Sequence, residues 1–582
     1  MRGLLAFQLR TTIALLTLGC AVVACGSEPA TKHPNGSNPG ASGGGAAAVG
    51  GSGASGNGTP GMTVNGLNLP GGDTPAARLH RLTASELKHS LQDLLGEGIP
   101  LEDGDPDSVV DGFASIGARV VSVSPSGVGL YETAARAATE FVFAEPARLA
   151  AQLACVPQGA ADTACLSQAV SAFGRRAFRR PLTDVEVTRF TTLASAIAAK
   201  QGSSIQAGLR SALNAILQSP SFLYRVELGV PSATDGGKLK YTDFEMASRL
   251  AATLWDSVPD DALLDAAAAG LLQTPDGVKT QAARLLADDK AHRAVRAFVG
   301  ELFGLSHLAE GIKDLALFPK WSDSLKPLLQ QELELRVEDM VFTQKGDFLS
   351  LYDSPVTFVN SELAKFYGLP EVAGSGFQRA EFPADSRRLG LLGAGAVLAG
   401  HALPQRSSPT ARGKFVAESL LCRVVPPPPD NVPPLPAEPL PGQTLRQRLE
   451  AHRTAPACSG CHALMDPMGF GMEDFDGIGQ FRTMDGGSPV DPTGAFEGEG
   501  LDGSTFSGLA ELGKALRKQP ILGACLVSKL YAEAQGRKAI ELDRPTIDQL
   551  TASFSASQNH LDQLIVSLVA SDSFRFVEPS KG

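Results

Sequence analysis

Arg78-Leu-His-Arg-Leu-Thr83-Ala-Ser-Glu86-Leu87-Lys-His-Ser-Leu91-Gln-Asp-Leu94-Leu95-Gly96 sets the structural theme of the chain. Thr83 can accept from the backbone three residues on, and Glu86 can reach back, so the pair forms a capping box. Leu87, Leu91, Leu94 and Leu95 then recur at helical spacing, and Gly96 supplies the stop. The same grammar repeats downstream. Helical stretches are predicted at about 130–153, 167–180, 205–228, 242–255, 260–269, 274–287, 292–303 and 325–342. Short helices punctuated by Asp353, Asn360 and Glu362 follow over 348–367. Strict two-residue alternation is rare, and a short strand is expected only at 377–382. The fold class is therefore mainly α, a multi-domain helical body with a further helical module at the C-terminal end.

The chain has 582 residues, more than one hydrophobic core accommodates, so three or four compact units are expected. Formal net charge is -11, which excludes a general nucleic-acid binder, since phosphate binding needs a basic surface. Arg2 and Arg10 flank a short apolar run that ends in Val22-Val23-Ala24-Cys25-Gly26. This reads as a lipoprotein signal over 1–25, with Cys25 as the lipidated residue and Cys20 as a weaker competitor. Gly26 after that cysteine points to the outer membrane. A Gly- and Ser-rich tether is expected over 26–75, too poor in apolar residues to fold.

Four arginines, Arg175, Arg176, Arg179 and Arg180, precede Pro181. They suggest a phosphate site on paper, but cations at a helix C-terminus that pair with nearby acids are the plainer reading. Pro426–Pro441 is a proline-rich run expected to be an extended spacer. Ser407-Ser408 with His401 forms no recognisable nucleophile arrangement, and His401 is expected to pack or solvate.

Cys458-Ser-Gly-Cys461-His462 carries the chemistry. On a helix, positions i, i+3 and i+4 share a face. Two thiols can then add to the two haem vinyl groups while the imidazole takes the iron. Pro456 suits the first helical turn. A zinc site wants four ligands, and no second Cys/His pair stands nearby. A thioredoxin-like pair wants a strand-to-helix context, which is absent. One covalent haem c is expected, on Cys458 and Cys461, with His462 as axial ligand. For the sixth position Met484, Met468, Met472 and His452 are candidates, and an open iron is the alternative; Met465 sits too near His462 in sequence. Asp466, Glu473, Asp474 and Asp476 crowd the following segment. They are read as pairing with Arg453 and Arg482 on a solvated surface rather than as a calcium loop. Of the remaining cysteines, Cys155 and Cys165 close a short loop and are expected to bond. Cys422 and Cys525 then pair by elimination.

The run Arg446-x-Arg-Leu-x-x-His452-Arg through Cys458-x-x-Cys-His462-x-x-Met465-Asp-Pro-x-Gly-Phe470 to Arg482 resembles one family. It is that of the multi-domain exported proteins of planctomycetes and myxobacteria built from domains of unknown function 1587, 1595, 1592, 1588 and 1585. Other blocks match in order: Arg81-Leu-Thr with Leu94-Leu-Gly; Phe178-Arg-Arg-Pro-Leu-Thr183; Ser219-Pro-Ser-Phe-Leu-Tyr-Arg-Val-Glu227 with Leu254-Trp255; Arg388-Leu-Gly-Leu-Leu with Ser408-Pro and Arg412-Gly-Lys; Cys525-x-x-x-Lys-Leu with Gly536-Arg537. The resemblance implies helical domains over 76–150, 151–212 and 213–345, connecting helices over 346–385, a haem-attachment domain over 386–500, and a last helical domain over 501–582. The family is cytochrome-c-like by motif, and its substrate is not part of the family description. Glu533-Ala-Gln535 departs from the Tyr-Ala-Leu the family often places before Gly-Arg.

Three functions are compatible with these residues. An electron-transfer lipoprotein would serve a redox partner protein at the cell envelope. A haem enzyme would act at an open iron, and a binding protein would use haem structurally. The methionines favour the first, and the size of the helical body favours the second.

Overall fold

A computed structural model describes residues 67–71, 79–101, 104–120, 122–155, 162–202, 204–426, 442–454 and 456–577. All of them belong to one compact unit spanning Pro60–Gly582. Cys20, Cys25, most of the expected tether and the proline run beyond Pro426 lie outside the described residues, as does the side chain of His452. The chain is mainly helical, with small two- and three-stranded sheets. Among the described residues no helix is long and apolar enough to cross a membrane.

Apolar residues at helical spacing explain where the cores sit. One core gathers the N-terminal helices Ala84–Leu95, Pro125–Phe143, Thr163–Ala177, Asp184–Lys200 and Ile205–Leu217. Leu91, Ala138, Val142, Phe173, Leu213 and Ile216 meet there. The regions expected as two separate domains, 76–150 and 151–212, share this core. A larger core runs from Trp255 through Leu329, Phe348, Leu392 and Leu512 to Leu568, and buries Met465, Met468 and Met472. The capping box at Thr83 and Glu86 is present, as are equivalent boxes at Thr183–Glu186 and Thr242–Glu245.

Several boundaries differ from expectation for identifiable reasons. Leu79–Arg81 is a strand, paired antiparallel with Tyr224–Val226, the latter inside a stretch expected to be helical. Arg81 holds that edge by reaching Asp105 at 3.1 Å and Asp107 at 3.0 Å. Helix 130–153 is two helices, because Pro146 opens a new one after Phe143. Helix 325–342 is α-helical over Leu325–Glu338 and continues as a π-turn over Asp339–Gln344. The short strand at Gln378–Glu381 pairs with Val356–Val359, which lies inside a region read as helical. The packed body also starts earlier than the tether reading allowed. Leu67 is buried, its carbonyl accepts from Arg544 Nη2 at 2.9 Å, and Pro70 O accepts from Glu541 N at 2.9 Å.

The four arginines before Pro181 divide. Arg175 pairs with Asp261 and Asp265, and Arg180 with Glu186. Arg179 is buried at φ +59° and donates to the carbonyls of Ser221, Phe222 and Tyr224, so it staples the chain rather than offsetting a dipole.

An acidic cluster lies where Ala84–Leu95, the end of Asp243–Trp255, Ala291–Leu302 and Pro520–Gln535 converge. Burial, with Glu301, Asp256 and Glu86 close by, pushes the Glu533 carboxyl up to about 8 against the lowering effect of Arg225. Burial likewise pushes Glu301 up to about 8, although Ala114 N–H opposes it. A carboxyl near 8 when folded and near 4.5 when unfolded holds its proton better in the folded state. Stability is then lost as pH rises from about 4.5 to about 8 and is flat outside that window. Glu533→Gln should therefore raise the thermal midpoint at pH 8.5 and leave it nearly unchanged at pH 4.5. Equal shifts at the two pH values would count against this assignment.

Candidate functional site

The helix Pro456–Phe470 carries Cys458, Cys461 and His462. Both cysteines are half-buried and unbonded to any other cysteine. Cys461 Sγ lies 3.8 Å from the carbonyl of Pro426, at the edge of the larger core. His462 Nδ1 is 2.8 Å from Asp466 Oδ2, one turn further along the same helix. Asp466 is fully buried, and its other oxygen accepts from Thr410 Oγ1 at 2.9 Å. Asp466 is thus no surface acid but the orienting partner of the motif histidine. The i, i+4 spacing of His462 and Asp466 was the signal in the sequence.

Thr410 sits on Pro409–Phe415, a helix that lies against the motif helix with the two backbones touching. A Cβ on Gly413 would fall 2.0 Å from Met465 O, and one on Gly469 would fall 1.8 Å from Pro409 O. Only glycine permits that approach on either side. Gly413→Ala should push the helices apart and cost about 1–3 kcal/mol or more, the usual penalty of overpacking, read as a lowered urea midpoint. An unchanged midpoint would show that the helices can part freely.

Arg412, also on that helix, is 0 % exposed. Its guanidinium donates to Met472 O at 2.7 Å, Phe475 O at 2.8 Å, Leu398 O at 3.0 Å and Asp476 O at 2.5 Å. It therefore holds the turn that follows the motif helix. Glu473 in that turn lies 3.4 Å from Arg412 Nη1, 2.9 Å from Arg482 Nη2 and 2.9 Å from Ser407 Oγ. Burial pushes Glu473 up, opposed by Arg482 and Arg412. Burial also pushes Asp474 up to about 6, opposed by the N–H of Leu509 and by Arg412. The solvated reading of these acids is corrected, since Asp466, Glu473 and Asp474 are all buried. Arg482 does pair with Glu473, whereas Arg453 turns to Glu450 and lies over the Phe470 ring.

Met468 and Met472 are enclosed in the larger core together with Met465. Met484 is 50 % exposed, on a hairpin formed by Met484–Asp485 and Ser488–Pro489. His401 packs against Phe415 and meets Phe303 O at 3.0 Å, while Ser407 serves Glu473. Two disulfides are present. Cys155–Cys165 closes a short loop, and Cys422–Cys525 ties the segment leading to Pro426 to the helix Pro520–Gln535. Among the described residues no group of three or more His, Cys, Asp or Glu side chains is placed to hold a bare metal ion. Arg412, Gly413 and Thr410 were not legible as parts of the site, because they precede the motif by about fifty residues across the proline run.

Five models of proteins of unknown function match the chain. They are DUF1587 at 80–144, DUF1595 at 165–227, DUF1592 at 241–369, DUF1588 at 388–485 and DUF1585 at 502–574. The third of them covers the acidic seam at Asp256 and Glu301, and the fourth covers the motif helix with its cradle from Arg388 to Asp485. No curated protein and no solved structure matches. The order of the five matched domains along one chain places this protein in the multi-domain family defined by that architecture.

Proposed function

We propose that the protein is an exported, lipid-anchored, c-type cytochrome-like protein that carries one covalent haem and passes electrons at the cell envelope. The observation that carries this reading is the 2.8 Å pairing of His462 Nδ1 with the buried carboxylate of Asp466. A metal-ligating histidine commonly gives its second nitrogen to a carboxylate, which fixes the ring and raises its basicity. With Nδ1 held this way, Nε2 is the nitrogen for iron. Cys458 and Cys461, half-buried and unbonded to any other cysteine, are in the state thioether formation requires. Bound haem supplies one-electron exchange. The chain's own residues do the positioning. Asp466 and Thr410 set the imidazole, Gly413 and Gly469 bring the cradle helix against the motif helix, and Arg412 fixes the turn beyond it. Met484 is the sixth-ligand candidate at the surface, and Met468 and Met472 pack in the core. A redox partner protein is the expected donor or acceptor, near the outer membrane to which Cys25 would be lipidated.

A second reading, a haem enzyme, is favoured by a cavity of about 450 Å³ beside the motif helix, walled by Pro467, Phe470, Phe506, Arg446 and Arg453. Visible spectra of protein matured with haem-attachment machinery decide between the two. A c-type reduced spectrum indifferent to carbon monoxide supports electron transfer. A prompt carbon monoxide shift supports the enzyme, and absence of covalent haem overturns both.

A further inference from the structure

Of the four arginines before Pro181, Arg175 and Arg180 meet acids and Arg179 meets carbonyls. Arg176 stands apart. It lies in the last turn of the helix Thr163–Ala177, half-buried, and donates through Nη2 to Gln152 Oε1 at 2.9 Å. Among the described residues no carboxylate forms an ion pair with it. Burial pushes its guanidinium down, with Asp261 opposing. A guanidinium carries five N–H donors, and one amide oxygen does not satisfy them. The side chain can be reached from outside, because it forms part of the wall of a cavity of about 330 Å³ that opens to solvent. That volume is at the lower end of small-molecule sites, roughly 300–1,000 Å³.

The rest of the wall is rich in acceptors. Gln152 and Leu153 border the cavity where the helix Pro146–Gln152 ends. The last carbonyls of a helix have no partner inside it. Asp261, at the start of the helix Asp261–Ala268, is exposed and borders the cavity too. Its Oδ1 takes Arg175 Nη1 at 3.0 Å, and a carboxylate has acceptor sites beyond that one. Arg175 is spoken for by Asp261 and Asp265, so Arg176 is the cation left to the cavity. The Cys155–Cys165 bond pins the chain beyond Leu153 to the helix that carries Arg176, so the two sides of the cavity keep their spacing.

One unpaired cation facing several acceptors is the complement of a ligand with one carboxylate and several hydroxyls. The carboxylate suits the planar edge of a guanidinium, and hydroxyls donate to carbonyl and carboxylate oxygens. Asp261 in the wall disfavours a doubly charged ligand such as phosphate. We propose that this cavity binds a sugar acid, with Arg176 taking the carboxylate and the helix-end carbonyls and Asp261 taking hydroxyls. The site joins the DUF1595 and DUF1592 segments and does not depend on the haem reading.

Isothermal titration of the full exported chain with glucuronate and gluconate tests it. Glucose, which lacks the carboxylate, propionate, which lacks the hydroxyls, and phosphate are the comparison probes. At least one of the two sugar acids should bind saturably at a single site, more tightly than any of the three comparison probes. Arg176→Gln removes the charge at a half-buried position and should weaken that binding about tenfold or more, the usual worth of a charged hydrogen bond. Asp261→Ala should lower the preference for the sugar acid over propionate about threefold, since propionate has no hydroxyl to lose. Saturable binding by neither sugar acid, or equal binding of glucose, propionate or phosphate, overturns the assignment. So does binding that Arg176→Gln leaves unchanged, or a preference that Asp261→Ala leaves unchanged. If Arg176→Gln fails to fold, the Asp261→Ala titration and the probe comparison decide on the same criteria.

Discussion

Arg412→Ala is expected to lower stability by about 3–5 kcal/mol, the cost of removing one partner from a buried ionic network. The guanidinium serves four carbonyls as well as Glu473, all of them interior except the half-buried Asp476. Alanine would take a donor from each carbonyl, with a backbone N–H remaining for Met472 O and Asp476 O, and would leave Glu473 with Arg482 and Ser407 alone. Against a typical total of about 5–15 kcal/mol, such a loss is enough to unfold part of the population at 37 °C. Burial lowers the Arg412 guanidinium to about 10, still charged at neutral pH, so the charge on the network is maintained in use. Arg412→Lys should recover little, because one ammonium cannot span carbonyls from residues 398, 472, 475 and 476. Denaturant midpoints of the three proteins test this. A midpoint for the alanine variant within about 0.5 kcal/mol of the parent, the range of ordinary surface substitutions, would mean that the turn holds itself.

The second large effect concerns cofactor attachment. Cys458→Ser with Cys461→Ser should abolish covalent haem while leaving the fold intact, since both thiols are half-buried and bear no disulfide. Haem-dependent staining on a denaturing gel, beside circular dichroism of the same sample, separates the two outcomes. Haem that stays covalently bound would refute attachment at this motif. Asp466→Asn is the finer probe. It keeps the side-chain shape but replaces the carboxylate beside His462 Nδ1 with an amide. Ferric iron should then be less favoured and the reduction potential should rise by about tens of millivolts, through the same orienting contact that tunes metal sites generally. A falling potential would place the Asp466 influence elsewhere than on the histidine.

Helices were legible in this sequence where caps and spacing agree. Thr83, Thr183 and Thr242 each have the acid three residues later, and all three form boxes in the fold. Of the strands, only the one at Gln378–Glu381 was legible. Leu79–Arg81 and Tyr224–Val226 are three residues each and lean on each other across more than a hundred positions, so neither carries a local signal. In the site, the cysteines and histidine declared themselves by spacing. Their support did not, because burial decides it. Asp466 and Glu473 look like ordinary surface acids until the cradle helix covers them. Met468 and Met472 likewise stand out only as ligand candidates in one dimension, and in three they lie in the larger core. The acidic seam at Glu301 and Glu533 was invisible for the same reason, since those residues come together only through four separate helices.

The bond between Cys422 and Cys525 has a bearing on how the molecule is made. If the chain is exported from its N-terminus, as proposed above, Cys422 is delivered first and its partner 103 residues later. Cys458 and Cys461 arrive between the two. In an oxidising compartment, the waiting thiol meets the two motif thiols before it meets the correct one. Correct biogenesis would then depend on timing: the motif cysteines would have to be occupied or shielded until the helix Pro520–Gln535 emerges. Overproduction without that timing should yield scrambled isomers joined through Cys458 or Cys461, equal in mass to the correctly bonded haem-free chain yet unable to take up the proposed haem.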